Sequence, residues 1–285
     1  ELQCVCQDLS KLLVDPLTEK DGDVLRDQWV QSYQQRLEYD ALHKRYIAPF
    51  PWYGSERPDS NFPAARLQCY ALRQRLEAKG KFEAYGARLQ EFLDQGYAER
   101  SLQWPPGEGY FVPHFPVYNP LSESTPERPV FNASSASKGC KSLNSCIFKG
   151  IWQQANLVGI LVRWRLQAHV VLADLRKAFL QVLVKEEDRK FLRFLWFEPD
   201  GQLGLYHMKC LLFGASASPF LLYVVLKQLI ETHDPELSPL LDDIYMDDAI
   251  FGAPSVEALA TSVQRFAAVV EKASFTLHKW TALPA

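Results

Sequence analysis

The chain lacks the features that mark disulfide-stapled, zinc-binding and membrane-spanning proteins. Its six cysteines are scattered over 285 residues without a CxxC pair, which favours a reduced intracellular protein over a disulfide framework or a zinc knuckle. No apolar run approaches a membrane span, and no basic segment leads into an apolar one near the first residue, so neither anchoring nor secretion is predicted. The net charge of −3 argues against a basic coat for nucleic acid, although one groove can still be locally basic.

What the chain has is ample material for a core, because 47% of its residues are hydrophobic, enough for one large domain or two subdomains. Apolar residues at helical spacing predict helices over residues 1–46 and 64–94, with Gly80 breaking the second block. Residues 97–117 are rich in Gly, Pro and aromatics, which predicts strands joined by turns. The first residue is Glu1 rather than Met, so we expect a piece of a longer polyprotein or gene model.

Further along, alternating residues predict a strand over 188–197, a turn over 198–201 and a returning strand over 205–212. A helix running to residue 230 is predicted to follow, with Ser218 as its N-cap and Pro219 at its first position. An amphipathic helix over 255–272 and a strand over 275–280 complete the pattern. One group of basic residues has two interpretations of about equal weight. The residues either contact phosphate or form a solvated mixed-charge surface together with the acids at 186–188. The group comprises Arg163, Arg165, Arg176, Lys177, Lys185, Arg189, Lys190 and Arg193.

An acidic turn at residues 241–252, LDDIYMDDAIFG, is the strongest local signal. Two short apolar arms around Asp247 and Asp248 predict a hairpin with both carboxylates at its tip. The two neighbouring carboxylates repel each other, and a bound divalent cation would allow both to stay ionised. The turn is therefore a candidate Mg²⁺ site. Paired aspartates are also common in plain turns, and we interpret Asp242 and Asp243 as the solvated start of a strand.

Chemistry with two metal ions needs a further carboxylate from elsewhere in the fold. Residues 169–173, HVVLA, predict a buried strand that ends in Asp174. Asp174 is therefore the candidate partner of Asp247 and Asp248.

These motifs resemble the palm of a reverse transcriptase. Residues 173–179, ADLRKAF, resemble motif A, and residues 245–248, YMDD, resemble motif C. Residues 213–220, FGASASPF, are similar to motif B, and residues 127–134, ERPVFNAS, resemble a signature that precedes motif A in Pao/BEL-type retrotransposon enzymes. Residues 275–280, FTLHKW, and segments at 45–52, 93–97 and 110–117 agree with that family. The resemblance covers nearly all of the chain, more loosely before residue 97.

The resemblance implies an α+β right-hand polymerase fold. Residues 1–96 would form an N-terminal helical extension, 97–168 the fingers, and 169–285 a palm with an antiparallel sheet and motifs A, B, C and a D-like motif. No thumb is expected. The catalytic residues would be Asp174, Asp247 and Asp248, and the metal site would comprise these acids and Leu175. Two Mg²⁺ ions, with Mn²⁺ as the alternative ion, would be the cofactors.

Four further residues are implied to bind the nucleotide. Arg128 falls where an arginine grips the triphosphate, and an exposed loop arginine is its alternative interpretation. Phe179 falls at the steric gate that excludes a ribose 2′-hydroxyl, and a core aromatic is the alternative. Ser218 lies at the helix start under the templating base pair, although any helix of a water-soluble protein can begin this way. Lys279 is the candidate that protonates the pyrophosphate leaving group.

Some positions depart from the family pattern. Glu127, Pro129 and Asn132 stand where Lys, Val and Asp are usual, and Thr281-Ala282 replace a usual Ser-Asn. These departures favour a second hypothesis, a catalytically silent retroelement remnant that serves as a binding or scaffold module. A viral RNA-dependent RNA polymerase is disfavoured by Phe179.

The expected partners are an RNA/DNA template-primer, dNTPs, and the thumb, RNase H, integrase and protease of the same polyprotein. No membrane partner is expected. The expected location is intracellular, in cytoplasmic particles with a nuclear step, and not secreted.

Overall fold

Four antiparallel strands form the sheet that positions the acidic residues. The computed structural model describes residues 19–101, 109–118, 127–150 and 157–283. The strands are β6 (His169–Leu175), β10 (Ile244–Tyr245), β11 (Asp248–Ala253) and β12 (Leu277–Leu283), in the order β10-β11-β6-β12. The predicted antiparallel sheet and the hairpin at the acidic turn are thereby confirmed.

The helix α8 (Val256–Glu271) packs against this sheet, and α7 (Ser218–His233) packs against α8. Alternate residues of β11 are buried, and Phe251 meets Phe266 of α8 edge to face at 5.3 Å between ring centroids. The Ser255 hydroxyl accepts a hydrogen bond from the Ala258 amide at 3.2 Å, which caps α8 where the sequence predicts a helix start. Sequence periodicity therefore located this layer correctly.

The N-terminal part is less helical than predicted. It contains α1 (Glu19–Gln34), β1 (Glu38–Asp40), β2 (Arg45–Ala48), α2 (Phe62–Ala78) and α3 (Phe82–Asp94). The helix expected as far as residue 46 is wrong beyond residue 34, because β1 and β2 pair with each other and β2 runs parallel to β7 (Leu183–Val184). Gly80 does separate two helices, with φ at +62°. Cys4, Cys6, Leu9, Leu12 and Leu13 lie outside the described residues.

A second sheet and a hairpin flank α2 and α3. The sheet has the order β3 (Ala98–Arg100), β9 (Leu203–Met208), β8 (Arg193–Phe197), and the hairpin joins β4 (His114–Tyr118) to β5 (Glu127–Phe131). The turn at 198–201 is confirmed by a hydrogen bond from the Gly201 amide to the Glu198 carbonyl. The remaining short helices are α4 (Leu143–Cys146), α5 (Leu157–Arg165) and α6 (Ala178–Gln181).

The strand predicted over 188–197 is wrong in its first half, which is a 3-10 helix at Glu186–Phe191. Asp188 is buried there and accepts hydrogen bonds from the Phe50 amide at 2.8 Å and the Trp52 indole at 2.7 Å. Arg193 is also buried. The interpretation as a solvated mixed-charge surface is therefore wrong for Asp188 and Arg193. Hydrogen bonds from residues distant in the chain allow Asp188 to be buried, which the alternating sequence pattern does not indicate.

Other charged residues are used structurally too. Arg163 pairs with Asp243 at 2.8 Å, and Arg189 donates to the Val184 carbonyl at 2.9 Å. Asp242 and Asp243 end a 3-10 helix at Pro235–Asp243, so the predicted strand start there is wrong.

The four cysteines within the described residues, Cys69, Cys140, Cys146 and Cys210, are free thiols. None of the helices described is both long enough and apolar enough to cross a bilayer.

His114 is a buried polar connection between β4, α3 and β8. Its Nδ1 lies 2.7 Å from the Tyr85 hydroxyl and its Nε2 lies 2.9 Å from the Leu195 carbonyl. Because the carbonyl can only accept, Nε2 carries the proton and Nδ1 accepts from Tyr85. Burial lowers the pKa of His114 to about 4, so the folded protein holds this ring neutral.

We expect this ring to make the protein less stable in acid. Between pH 6.5 and about 4 the unfolded chain binds a proton at His114 and the folded protein does not, so stability falls as the pH falls through that window. The full effect is about 3 kcal/mol for a shift of this size. Urea unfolding at several pH values, compared between the parent and His114→Gln, measures it. Equal pH dependence in the two proteins would contradict the assignment.

Candidate active site

The three predicted acids come together at one end of the four-stranded sheet. Asp174 on β6 lies directly opposite Asp248 on β11, and Asp247 occupies the turn between β10 and β11. Directly opposed residues point to the same face of a sheet, with Cβ atoms about 4.5–5.5 Å apart. A hydrogen bond of 2.7 Å from the Leu175 amide to the Asp247 carbonyl fixes the turn against β6.

Two basic side chains of β12 contact Asp174. Lys279 Nζ lies 3.2 Å and His278 Nε2 lies 3.3 Å from the Asp174 carboxylate. The register places His278 opposite Asp174, and the strand then bulges between His278 and Thr281. Residues on both neighbouring strands of β6 therefore converge on one carboxylate.

The electrostatics of the site are those of crowded carboxylates. Burial raises the pKa of Asp247, and the negative charge of Asp174 raises it further. The same two causes, in the same order, raise the pKa of Asp248. A cation bound between the carboxylates would lower the pKa values of Asp247 and Asp248 again.

The backbone around the acids adopts left-handed conformations at residues other than glycine. Met246 has φ at +57°, Lys279 at +53° and Lys177 at +52°. Such conformations cost free energy for a residue with a side chain, and they concentrate at functional sites. At Met246 the conformation lets the chain reverse in a two-residue turn made of Met246 and Asp247.

The donors fit a hard divalent cation in kind, since carboxylate oxygens are the ligands that Mg²⁺ prefers. Within the described part of the chain, no group of three His, Cys, Asp or Glu side chains is already arranged to hold a metal ion. Asp174 faces Lys279 and His278 instead, so its side chain would have to turn towards Asp248. Leu175 is fully buried and has no ligating side-chain atom, which leaves only its backbone to take part.

Phe179 lies on α6, shortly after Asp174 in the chain. Its ring is only 5% exposed and meets Phe213 edge to face at 4.8 Å, whereas Phe213 is 61% exposed. Phe179 is therefore a core aromatic, as its alternative interpretation predicts, and little of its ring is left to contact a substrate. Its role as a steric gate stays a prediction.

Ser218 does not cap α7, so that prediction is wrong. Ser218 is the first residue of the helix, and Pro219 the second. The Ser218 side chain is fully buried, and its hydroxyl is directed at the preceding loop, where it donates to the Leu212 carbonyl at 2.6 Å. It braces the preceding loop from inside, and its nucleotide contact stays a prediction.

Close backbone packing holds the same loop. A Cβ atom on Gly214 would collide with the carbonyl oxygen of Phe131, which brings the loop against the end of β5. Asn144 supports it from a third side, donating to the Gly214 carbonyl at 3.0 Å and accepting from the Ser216 amide at 2.8 Å.

Arg128 lies on β5 opposite Val117, and its side chain is exposed. Asn132, one of the departures from the family pattern, accepts a hydrogen bond from the Ser134 amide at 3.1 Å and so shapes the turn after β5. The triphosphate contacts of Arg128 and the proton transfer by Lys279 both stay predictions.

Sequence reasoning missed His278 and Phe213. His278 could have been found from its place next to Lys279 on a predicted strand. Phe213 could have been found as the first residue of the segment similar to motif B.

Comparison with protein families gives one match. Residues 130–280 match the model described as "Reverse transcriptase (RNA-dependent DNA polymerase)", and the matched region contains Asp174, Asp247 and Asp248. A comparison with curated proteins found no significant match. Because the family match covers more than half of the chain and includes all three acids, this chain belongs to the reverse transcriptase family.

Proposed function

We propose that this chain synthesises DNA on an RNA template for a Pao/BEL-type LTR retrotransposon, by nucleotidyl transfer at a site with two metal ions. The observation that carries the proposal is the register of Asp174 opposite Asp248, with Asp247 in the adjoining turn. The retrotransposon type is supported by the sequence segments at 127–134 and 275–280.

In this proposal Asp174 and Asp247 would hold the two metal ions, and Asp248 would be a third ligand or an electrostatic support. Mg²⁺, or Mn²⁺ in its place, would supply the positive charge that lowers the pKa of the primer 3′-hydroxyl and stabilises the departing pyrophosphate. Lys279, already 3.2 Å from Asp174, delivers a proton to that leaving group.

The remaining residues handle the nucleotide. Arg128 offers a planar, permanently charged fork to the triphosphate. Phe179 presents its ring edge to the sugar, and Ser218 holds the start of α7 in place beneath the templating base pair. The partners are a template-primer and dNTPs.

Removal of divalent cations tests the proposal. We expect extension of a DNA primer on an RNA template with dNTPs and Mg²⁺, complete loss of extension with excess EDTA, and recovery when Mg²⁺ is restored. Thermal unfolding should hardly change with EDTA, because Lys279 already pairs with Asp174 in the fold. Extension that persists in EDTA would contradict the proposal, and a large loss of thermal stability would point to a structural metal.

A second candidate function is the catalytically silent binding or scaffold module. It is favoured by the contacts of Asp174 with Lys279 and His278, which occupy the carboxylate that catalysis needs. The same primer-extension assay, with a thumb supplied, separates the two functions. A silent module would bind nucleic acid without incorporating nucleotides.

We also propose that the chain acts as part of a polyprotein with protease, thumb, RNase H and integrase portions, in cytoplasmic particles with a nuclear step. The reading frame on both sides of this segment tests this part. Flanking frames without those domains would contradict it.

A further inference from the structure

The helix α1 packs on α7, although α1 lies outside the segment that matches the reverse transcriptase family. One contact is made at Phe220, the third residue of α7 and the last residue of the segment similar to motif B. The helix α1 therefore reaches the part of the chain that the proposed function places beneath the templating base pair.

Two aromatic side chains of α1 pack on the Phe220 ring. The ring centroid of Trp29 lies 4.7 Å and that of Tyr33 lies 5.5 Å from the centroid of Phe220. Residues four apart share one face of a helix, so both rings project from α1 towards α7. Phe220 is only 4% exposed, which makes these contacts part of the core.

The backbone at Gly150 closes another side of Phe220. A Cβ atom at Gly150 would collide with the Phe220 side chain, and a φ of +87° suits glycine at this position. Phe220 is therefore packed between this backbone and α1. Its position at the start of α7 depends on the Trp29 ring staying in place.

The helix α1 is also anchored to segments other than α7. Trp29 meets Phe148 edge to face at 4.7 Å, and the Phe148 amide donates to the Pro51 carbonyl at 2.7 Å. The Tyr33 hydroxyl donates to the Pro49 carbonyl. Because these contacts fix both rings independently of α7, α1 can serve as a wall against which α7 is held.

A second contact between α1 and α7 lies far from Phe220. The Gln34 side-chain amide donates to Gln228 Oε1 at 3.1 Å and to Glu231 Oε2 at 2.8 Å. Gln228 is more than two turns beyond Phe220, about 12 Å along a helix that rises about 1.5 Å per residue. The two contacts can therefore be removed separately.

The first turn of α7 is thus held from two directions. The Ser218 hydroxyl and the Gly214 backbone hold it from the preceding loop, and Phe220 holds it from α1. A displacement of about 1 Å caused by a substitution far from the reacting atoms can cost on the order of 10²-fold in rate. A loosened support beneath the templating base pair should affect correct and mismatched pairs differently, because only the correct pair fits the rigid site.

We propose that Trp29 is a positioning residue for nucleotide selection, acting through Phe220 on the first turn of α7. The Trp29 ring keeps that turn where a correct base pair fits and a mismatched pair does not. This role rests on the proposed polymerase function. The physical link from Trp29 to α7 does not, because it is a property of the fold.

Hydrogen exchange tests the link in the fold. The Leu221 amide donates to the Ala217 carbonyl at 3.0 Å across the first turn of α7, and its exchange rate reports how often that turn opens. Trp29→Ala should speed this exchange relative to the amides of β6, which serve as the reference for overall stability. Gln34→Ala is the matched control on the same helix, and it should leave Leu221 at the parental rate. Unchanged relative exchange of Leu221 in Trp29→Ala would refute the link.

Single-nucleotide extension of a primer on an RNA template tests the consequence for selection. The measured quantity is the ratio of kcat/KM for the correct dNTP to that for a mismatched dNTP, in which any loss of folded protein cancels. Trp29→Ala should lower this ratio by roughly tenfold, within the range that such a displacement costs. Gln34→Ala should keep the parental ratio, and Trp29→Phe, which keeps a ring against Phe220, should keep most of it.

Failure of this role is distinguishable from failure of the polymerase proposal. If the parent extends primers and Trp29→Ala keeps the parental ratio, or loses no more of it than Gln34→Ala does, the role of Trp29 fails alone. If the parent extends no primer, the polymerase proposal is overturned, and the role of Trp29 in selection is overturned with it.

Discussion

Asp247→Asn should reduce nucleotide incorporation by roughly 10³-fold or more while the protein remains folded. A metal-bound transition state is stabilised by several kcal/mol, and each 1.4 kcal/mol lost costs about tenfold in rate. Asparagine has nearly the same volume and preserves the backbone carbonyl that accepts from Leu175. The measurement is single-nucleotide extension of a primer on an RNA template, with thermal unfolding of the same sample.

The stability readout distinguishes a metal ligand from a structural acid. Burial and the charge of Asp174 raise the pKa of Asp247, so without a cation its ionised form is disfavoured in the fold. Removing that charge should leave the melting temperature unchanged or slightly higher. An acid that stabilised the fold through its charge would show the opposite.

Asp242→Asn is the matched control. Asp242 is also the first residue of an acidic pair, lies five residues earlier and is exposed at the end of a 3-10 helix. It should extend primers at the parental rate. Parental activity in Asp247→Asn, or equal loss in both variants, would remove the metal assignment.

The sequence was sufficient to predict the acidic site because its geometry follows from local rules. A short apolar strand ending in Asp174 and an acidic hairpin at Asp247 are both recognisable from periodicity and turn chemistry. The antiparallel palm arrangement then came from the family resemblance. Local rules could not predict that β12 is the second strand paired with β6. This pairing brings His278 and Lys279 next to Asp174.

The failures share a cause, which is that partners distant in the chain decided the local structure. Residues 38–40 and 45–48 form strands instead of the predicted helix, because β2 pairs with β7, which lies far along the chain. Asp188 ended up buried because the Phe50 amide and the Trp52 indole satisfy it. The exception is Ser218, whose hydroxyl donates to the nearby Leu212 carbonyl, a local alternative to capping that the capping preference does not reveal.

Phe179→Val should raise the use of ribonucleotides relative to deoxynucleotides by on the order of 10²-fold, the discrimination that one hydroxyl provides at a site of this kind. Valine shortens the side chain and opens the space that a 2′-hydroxyl would need. The measurement is the ratio of kcat/KM for a ribonucleotide to that for the matching deoxynucleotide.

The burial of Phe179 makes this ratio the decisive quantity. Its ring is 5% exposed and packs on Phe213, so the substitution will also leave a cavity and lower stability by about 1–3 kcal/mol. Loss of folded protein lowers both kcat/KM values equally and cancels in the ratio. Phe213→Leu removes the packing partner while keeping the Phe179 ring, and it should change stability with much less change in the ratio. If Phe179→Val weakens both substrates in proportion, Phe179 is a core aromatic and the discrimination lies elsewhere in the site.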